Sequence, residues 1–468
     1  MNNPLRRDKK EDAKDKQKLN IIIAGCGKVG ATLVERLSAV GHDITVIDAD
    51  NSVVSNITST YDVMGIVGNG ASYSVQQEAG ISNCDLMIAV TESDELNLLC
   101  CSMAKKMGNC ASVARVRNPD YAEELGYIRE QLGISLIINP ELDMAQEIAR
   151  LLRLPGAMGI NPFARGHAEI VKFKLTEHNP LCGKAIMESR DLSQDILFCG
   201  VERGEDFFIP DGSAVLEAGD NVSFLATPIN THKFFKRVGE DTHRVRNCMI
   251  IGGSRTAYYL AKELEDKNID VKILEKDKKH CEELAILLPK CLVINGDGSD
   301  TKLLSEEGIE DVESFVPLTG LDEENILLTL HARRVSKAKV ITKINRGDFK
   351  PITDNMDMGT ALYQRYLTTE RIITYVRALQ NSIGSNVETM YNMFDNRAEA
   401  LEFKIEPGSK VCGKPIMELP LRKHLLLACI VRGGKIIIPG GRDELFAGDH
   451  IVVVTTHSGF NDVEDILK

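Results

Sequence analysis

At 468 residues, 43% hydrophobic and 26% charged, the chain lies in the globular range, and by the usual size prior its length allows about three domains. A wholly disordered chain is excluded. With 56 basic and 68 acidic side chains the net charge is −12, which lacks the electrostatic footprint of a nucleic-acid binder and makes DNA and RNA poor partners.

In chain order, residues 1–18 mix Arg6, Arg7, Lys9 and Lys10 with Asp8, Glu11 and Asp12, and no apolar run follows. The stretch reads as a disordered charged tail and not as a secretory signal. Next come apolar, strand-like runs at 19–24, 44–47, 63–67, 86–90 and 111–116, separated by segments of helical period. That alternation predicts a parallel, doubly wound sheet. A helix follows with Met144, Ile148 and Leu151 on one face. The period then changes to two at Val171, Phe173 and Leu175, and the short strands around 197–227, punctuated by Gly and Pro, predict a smaller α+β lobe.

Residues from about 19 to 230 then recur from about 246 to 458. Gly68-Asn69-Gly70-Ala71-Ser72 returns as Gly296-Asp297-Gly298-Ser299-Asp300, and Thr91, Asp94 and Asn97 return as Thr319, Asp322 and Asn325. The fold class is therefore α/β, a tandem duplication of a Rossmann-like doubly wound domain, each copy followed by a small α+β lobe. The expected boundaries are a tail at 1–18, a first nucleotide-binding domain at 19–140 with a linking helix at 141–160, and a small lobe at 161–240. The second domain is expected at 246–366, with its linking helix at 367–395 and its lobe at 396–468. No run of about 18 apolar residues predicts a membrane span, so a membrane role would pass through a partner. The 12 cysteines form no C-x-x-C pair, and Cys84, Cys248 and Cys291 fall in apolar runs, as expected of buried, reduced thiols. The Cys100-Cys101 pair reads as core packing before it reads as a redox sensor.

The first strand runs into Gly25-Cys26-Gly27-Lys28-Val29-Gly30, a G-x-G-x-x-G that opens a helix. The first glycine serves the tight turn, the second admits a pyrophosphate to backbone N–H groups, and the third lets helix and strand approach. Asp48, at the end of the second strand, is placed to accept from both ribose hydroxyls and to repel a 2′-phosphate, which favours NAD(H) or an adenosine nucleotide over NADP. Asp50 competes for that role, or caps the next helix. Asn69, Thr91 and Glu92 fall at carboxyl ends of strands, where ligands of such sheets lie, and each has a turn or cap role as its alternative. Arg115 could meet a phosphate or form an ion pair. The second copy reads Gly252-Gly253-Ser254-Arg255-Thr256-Ala257, with Glu275 in place of Asp48. Ser254 crowds a pyrophosphate, so that site is expected to be weaker, altered or empty. No catalytic motif accompanies either copy, and His42 precedes the second strand at the far end of the sheet, so a regulator is favoured over an NAD-dependent oxidoreductase.

On these residues, together with Thr91 to Asn97, Ala114 to Tyr121, and Pro210 with Gly219-Asp220 and their repeats Pro439 with Gly448-Asp449, the chain resembles the tandem RCK (regulator of potassium conductance, or KTN) family of Trk-type potassium-uptake regulators. The resemblance implies a cytoplasmic ring, a homotetramer, peripheral on the inner face of the membrane. The ring would sit under a potassium-translocating subunit of the TrkH/TrkG kind, bind NAD(H) and ATP or ADP, and act without catalysing a reaction. It also implies nucleotide contacts from Gly25 to Val29, Asp48, Asn69, Thr91, Glu92 and Arg115.

Overall fold

The computed structural model describes residues 18–468, apart from 123, 205, 354, 355, 357, 383–386, 394–396, 458 and 461. The charged tail expected at 1–18 thus lies, but for Lys18, outside the described residues.

Short apolar runs, buried at the centre of the sheet and more exposed at the β3 edge, make the first sheet: β1 (Asn20–Ala24), β2 (Asp43–Asp48), β3 (Met64–Val67), β4 (Leu86–Ala89), β5 (Ala111–Arg115) and β6 (Leu136–Ile138). All pair in parallel, in the order β3-β2-β1-β4-β5-β6. The order reverses direction between β1 and β4, which opens a crevice at their carboxyl ends. β6 was not expected from sequence; its three residues are too few to show a period. The second half repeats the order with Asn247–Ile251, Asp270–Glu275, Leu292–Asn295, Ser314–Pro317, Lys339–Ile344 and Thr360–Tyr363. Each half then adds a five-stranded antiparallel sheet. The first runs 206–208, 197–203, 221–226, 168–174, 159–163 across the sheet, and the second runs 387–393, 398–404, 450–455, 425–432, 435–437.

Four helices join the halves: α1 (Lys28–Val40), α2 (Pro140–Leu152), α3 (Arg255–Glu265) and α4 (Gln364–Ser382). The linking helices α2 and α4 were expected from their periodicity, but each packs against the other half. Met144 and Ile148 of α2 share a core with Leu260 and Leu264 of α3. Ile372, Ile373 and Val376 of α4 enter the core of the first domain beside Leu33 and Leu37 of α1. A helical period shows that a face is buried, not against what. Arg36 of α1 pairs with Glu370 of α4 and lies 5.8 Å from the Tyr366 ring centroid, and Arg371 of α4 pairs with Asp143 of α2. The segments predicted as pure linkers also contain strands, at 159–163 and 387–393.

The two small sheets lie face to face, with Phe163, Ile170 and Leu225 against Ala400, Val452 and Val454. The Phe163 ring meets Tyr391 edge-on at 4.9 Å. All 12 cysteines are free. Cys84 sits in a turn after Ile81–Asn83 and not in a strand. Cys100 and Cys101 are fully buried in the helix Asp94–Gly108, and burial pushes the Cys100 thiol up to about 12, so both behave as core. Among the described residues no helix is long and apolar enough to cross a membrane.

Candidate functional site: an interdomain nucleotide crevice

The turn from β1 into α1 shows why its glycines stand where they do. Gly25 has φ +94°, and a Cβ there would lie 2.6 Å from the Thr91 nitrogen; a Cβ on Gly30 would lie 2.0 Å from the Gly25 carbonyl oxygen. Both serve the turn itself. Gly27 differs: a Cβ there meets nothing within 4 Å, and Gly27 caps α1 with no side-chain hydrogen bond. The N-terminus of α1 is therefore open, with free N–H groups and the positive end of the helix dipole facing a cavity.

That cavity is about 1100 Å³. Gly25, Gly27, Lys28, Val29, Asp48, Asn69, Thr91, Glu92 and Arg115 line it, so it gathers most of the residues that sequence placed at the site. Cys26 and Gly30 lie behind the loop. The Cys26 N–H donates to Asp48 Oδ2 at 2.7 Å, and burial and the Asp48 charge push the Cys26 thiol up to about 12. Asp48 Oδ1 accepts from the Asp50 N–H at 3.0 Å, leaving lone pairs on both oxygens toward the cavity. Asp50 is the cap of the next helix, accepting from Ser52.

Two of the expected polar residues also hold the scaffold. The Asn69 side chain accepts from the Ala71 N–H at 2.9 Å, and the Thr91 hydroxyl donates to Asn97 Oδ1 at 2.7 Å. Asn97 in turn donates to the carbonyls of Thr91 and Arg115, tying the ends of β4 and β5 together.

Sequence reasoning missed the far wall. Arg117 and Glu141 belong to the first half, but Gly320 to Glu323, Asn345, Arg346 and Arg365 come from the second. Nε of Arg115, Arg117 and Arg365 and one carboxylate oxygen of Glu141 are buried with no hydrogen-bond partner among the described residues. Burial and the Arg117 charge hold Arg115 below the ordinary arginine range. Buried guanidinium groups left short of partners around a helix N-terminus are complementary to phosphate. The adjacent Arg117-Asn118-Pro119 was a visible signal for Arg117. The second-half residues had none, because only tertiary packing brings them across.

The second crevice is about 380 Å³ and is lined by its own half alone, including Gly252 and Glu275. Glu275 Oε2 accepts from the Gly253 N–H at 2.7 Å, reproducing the Asp48 contact. Ser254, however, caps α3, its hydroxyl accepting from the Ala257 N–H at 3.4 Å. His280 lines the crevice, with its Nε2 2.7 Å from the Gly253 carbonyl oxygen; Val53 stands at the matching place in the first half. No histidine, cysteine or tyrosine lines the first crevice among the described residues.

Comparison with known proteins agrees with this architecture. Residues 21–140 and 248–363 each match the TrkA-N domain, and 170–239 and 400–468 each match the TrkA-C domain. The chain belongs to the TrkA family. It is 32% identical over 459 residues to the Trk system potassium uptake protein TrkA homolog 1 of Methanosarcina mazei, covering 96% of this chain and all of that one. To the Trk system potassium uptake protein TrkA of Haemophilus influenzae it is 31% identical, covering 93% of this chain and 95% of that one. Among solved structures it resembles the GsuK channel bound to NAD, with a TM-score of 0.61 at 18% identity over 94% of this chain and 77% of that one. The GsuK RCK domain gives 0.62 at 17% identity, over 93% and 92%. At these identities the two structures speak for the fold.

Proposed function

We propose that the protein is the nucleotide-sensing regulatory subunit of a potassium-uptake system, acting on a potassium-translocating membrane subunit from the cytoplasmic side. The observation that carries this reading is the first crevice: an uncapped helix N-terminus, an acid at the end of β2, and unsatisfied guanidinium groups from both halves around one cavity. Its relatives carry the Trk name over nearly their whole length, and a structural neighbour is described with NAD bound.

The residues fit NAD(H) or an adenine nucleotide. The N-terminus of α1 at Gly27 and Lys28 would take the diphosphate, Asp48 the ribose, and Arg115, Arg117 and Arg365 the remaining negative charge. A dinucleotide supplies here only its charge and shape. Because Arg365 stands at the start of α4, and α4 packs on α1, a ligand held by both would favour one packing of the halves. α2 and α4 lead directly into the small lobes, so that bias would reach them, and an assembly of several chains, a homotetramer in this reading, would present it to the pore. The ligand shifts the equilibrium only by its difference in affinity for the two packings. The lining offers no histidine, cysteine or tyrosine for hydride chemistry, which supports a regulator over an NAD-dependent oxidoreductase.

The test is potassium flux through a co-reconstituted Trk-type membrane subunit, with NADH, NAD, ATP or ADP added to this protein or to Gly27→Asp. Flux that responds to one nucleotide with the intact chain and not with the variant is the expected result. Flux indifferent to all four, or nucleotide turnover without flux change, would refute the reading.

A further inference from the structure

The second small lobe holds a group of side chains that nucleotide sensing does not use. Strand 398–404 pairs with 450–455 so that Lys404 faces His450 and Glu402 faces Val452, which puts Glu402 and His450 diagonally on one face. Glu388, on the exposed edge strand 387–393, completes the group. His450 Nδ1 lies 2.7 Å from a Glu388 carboxylate oxygen and 3.8 Å from Glu402 Oε1. One ligand atom from each of the three lies within 4.8 Å of the others.

Glu402 is only 4% exposed. Its Oε2 accepts from the backbone N–H of Ala164, in the first lobe, at 3.2 Å. Its Oε1 receives no hydrogen bond from a described residue and points into the group. One imidazolium can offset one of the two carboxylates, so two carboxylates and one imidazole gathered here leave a negative charge that a cation would balance. Lys404 does not fill the role, since its amine lies 3.4 Å from Glu406. The first lobe differs: Lys172 stands where the second has Glu402 and Asn221 where it has His450, and the buried Glu202 pairs with the Lys172 amine and with Arg397 of the second half.

We propose that Glu388, Glu402 and His450 form a divalent transition-metal site at the rim of the interface between the small lobes. One imidazole nitrogen and two carboxylate oxygens, with a coordination position left for water, suit Zn²⁺ better than Mg²⁺ or Ca²⁺, which favour all-oxygen sets. A bound ion would draw the three ligand atoms to about 3.3 Å from one another. It would also lock the Glu402 carboxylate in the rotamer that holds Ala164, so metal occupancy would stiffen the contact between lobes. This inference stands apart from the nucleotide reading and survives its failure.

The probe is ZnCl2, titrated calorimetrically into the full chain after removal of metal with a chelator, and into His450→Ala and Glu388→Gln. One saturable Zn²⁺ site per chain is expected, weakened about tenfold or more in each variant, with Zn²⁺ raising the melting temperature of the intact chain only. Glu388 is exposed, so Glu388→Gln keeps the test informative should His450→Ala fail to fold. Absence of a saturable site, or Zn²⁺ affinity unchanged in the folded variants because cysteines hold the ion, would overturn the proposal.

Discussion

The two crevices of this chain share a sheet order, a left-handed glycine after the first strand and an acid that accepts from the loop, yet one is about 1100 Å³ and the other about 380 Å³. The crevices differ in their walls, since residues of both halves line the first and only its own half lines the second, and in three side chains. Where the first half has Gly27, Gly30 and Val53, the second has Ser254, Ala257 and His280. Ser254 caps the N-terminus of its own helix, and His280 lines the crevice against the Gly253 carbonyl. In the second copy Ser254 caps its own helix, while the neighbouring surface, Gly320 to Glu323 with Arg346, walls the first copy's cavity.

The comparison is easiest to break at the third glycine. Gly30→Ala drives a Cβ into the Gly25 carbonyl and should cost about 3 kcal/mol or more of stability by denaturant unfolding, whereas Ala257→Gly at the matching place should cost only about 1 kcal/mol, the helix-propensity difference. Equal costs would show that the two turns are not built differently. Next in size is Gly27→Asp. A Cβ there is free of the protein, so the melting temperature should hold while nucleotide affinity falls about a hundredfold, roughly 2.7 kcal/mol; a fall in stability of similar size would mean the glycine serves the fold.

Arg365→Gln should weaken nucleotide binding about tenfold, worth about 1.4 kcal/mol, and flatten its salt dependence, because the charge from the second half acts on phosphate. Unchanged affinity would remove the second half from the site. The smallest effect belongs to His280. Burial alone would lower its pKa, but the Gly253 carbonyl and the Glu283 and Glu275 carboxylates outweigh this and leave it raised. A histidine raised in the folded state contributes stability that is complete below its unfolded pKa, about 6.5, and is lost as pH rises through the folded value. Melting temperature should therefore drift down slightly above about pH 6.5, and His280→Ala should remove that part of the drift.

Much of this could be read from the chain. The period-two and helical runs gave the sheets and helices, and the spacing from Gly25 to Asp48 located the first crevice because the chemistry of a diphosphate demands that turn. What sequence could not give was everything that depends on one half meeting the other. The apolar face of α4 shows in Ile372 and Val376, but nothing local says that it docks on Leu33 and Leu37. Arg365 looks like surface charge until the fold turns it toward the first-half cavity. Thr91, expected at the end of β4, does line the cavity, but its hydroxyl donation to Asn97 depends on tertiary structure that the sequence does not show. A histidine lining the second crevice was likewise invisible, since His280 sits 26 residues beyond Ser254 on a separate helix.

The claim that one crevice binds and the other does not is tested most directly by the stoichiometry of nucleotide binding to the full chain, measured by calorimetric titration with NADH and with ATP, and repeated on Gly27→Asp and on Ser254→Gly. The account predicts one nucleotide per chain, lost in Gly27→Asp and unchanged in affinity at the first crevice in Ser254→Gly. Two equivalent sites per chain, or a site that survives Gly27→Asp, would contradict it.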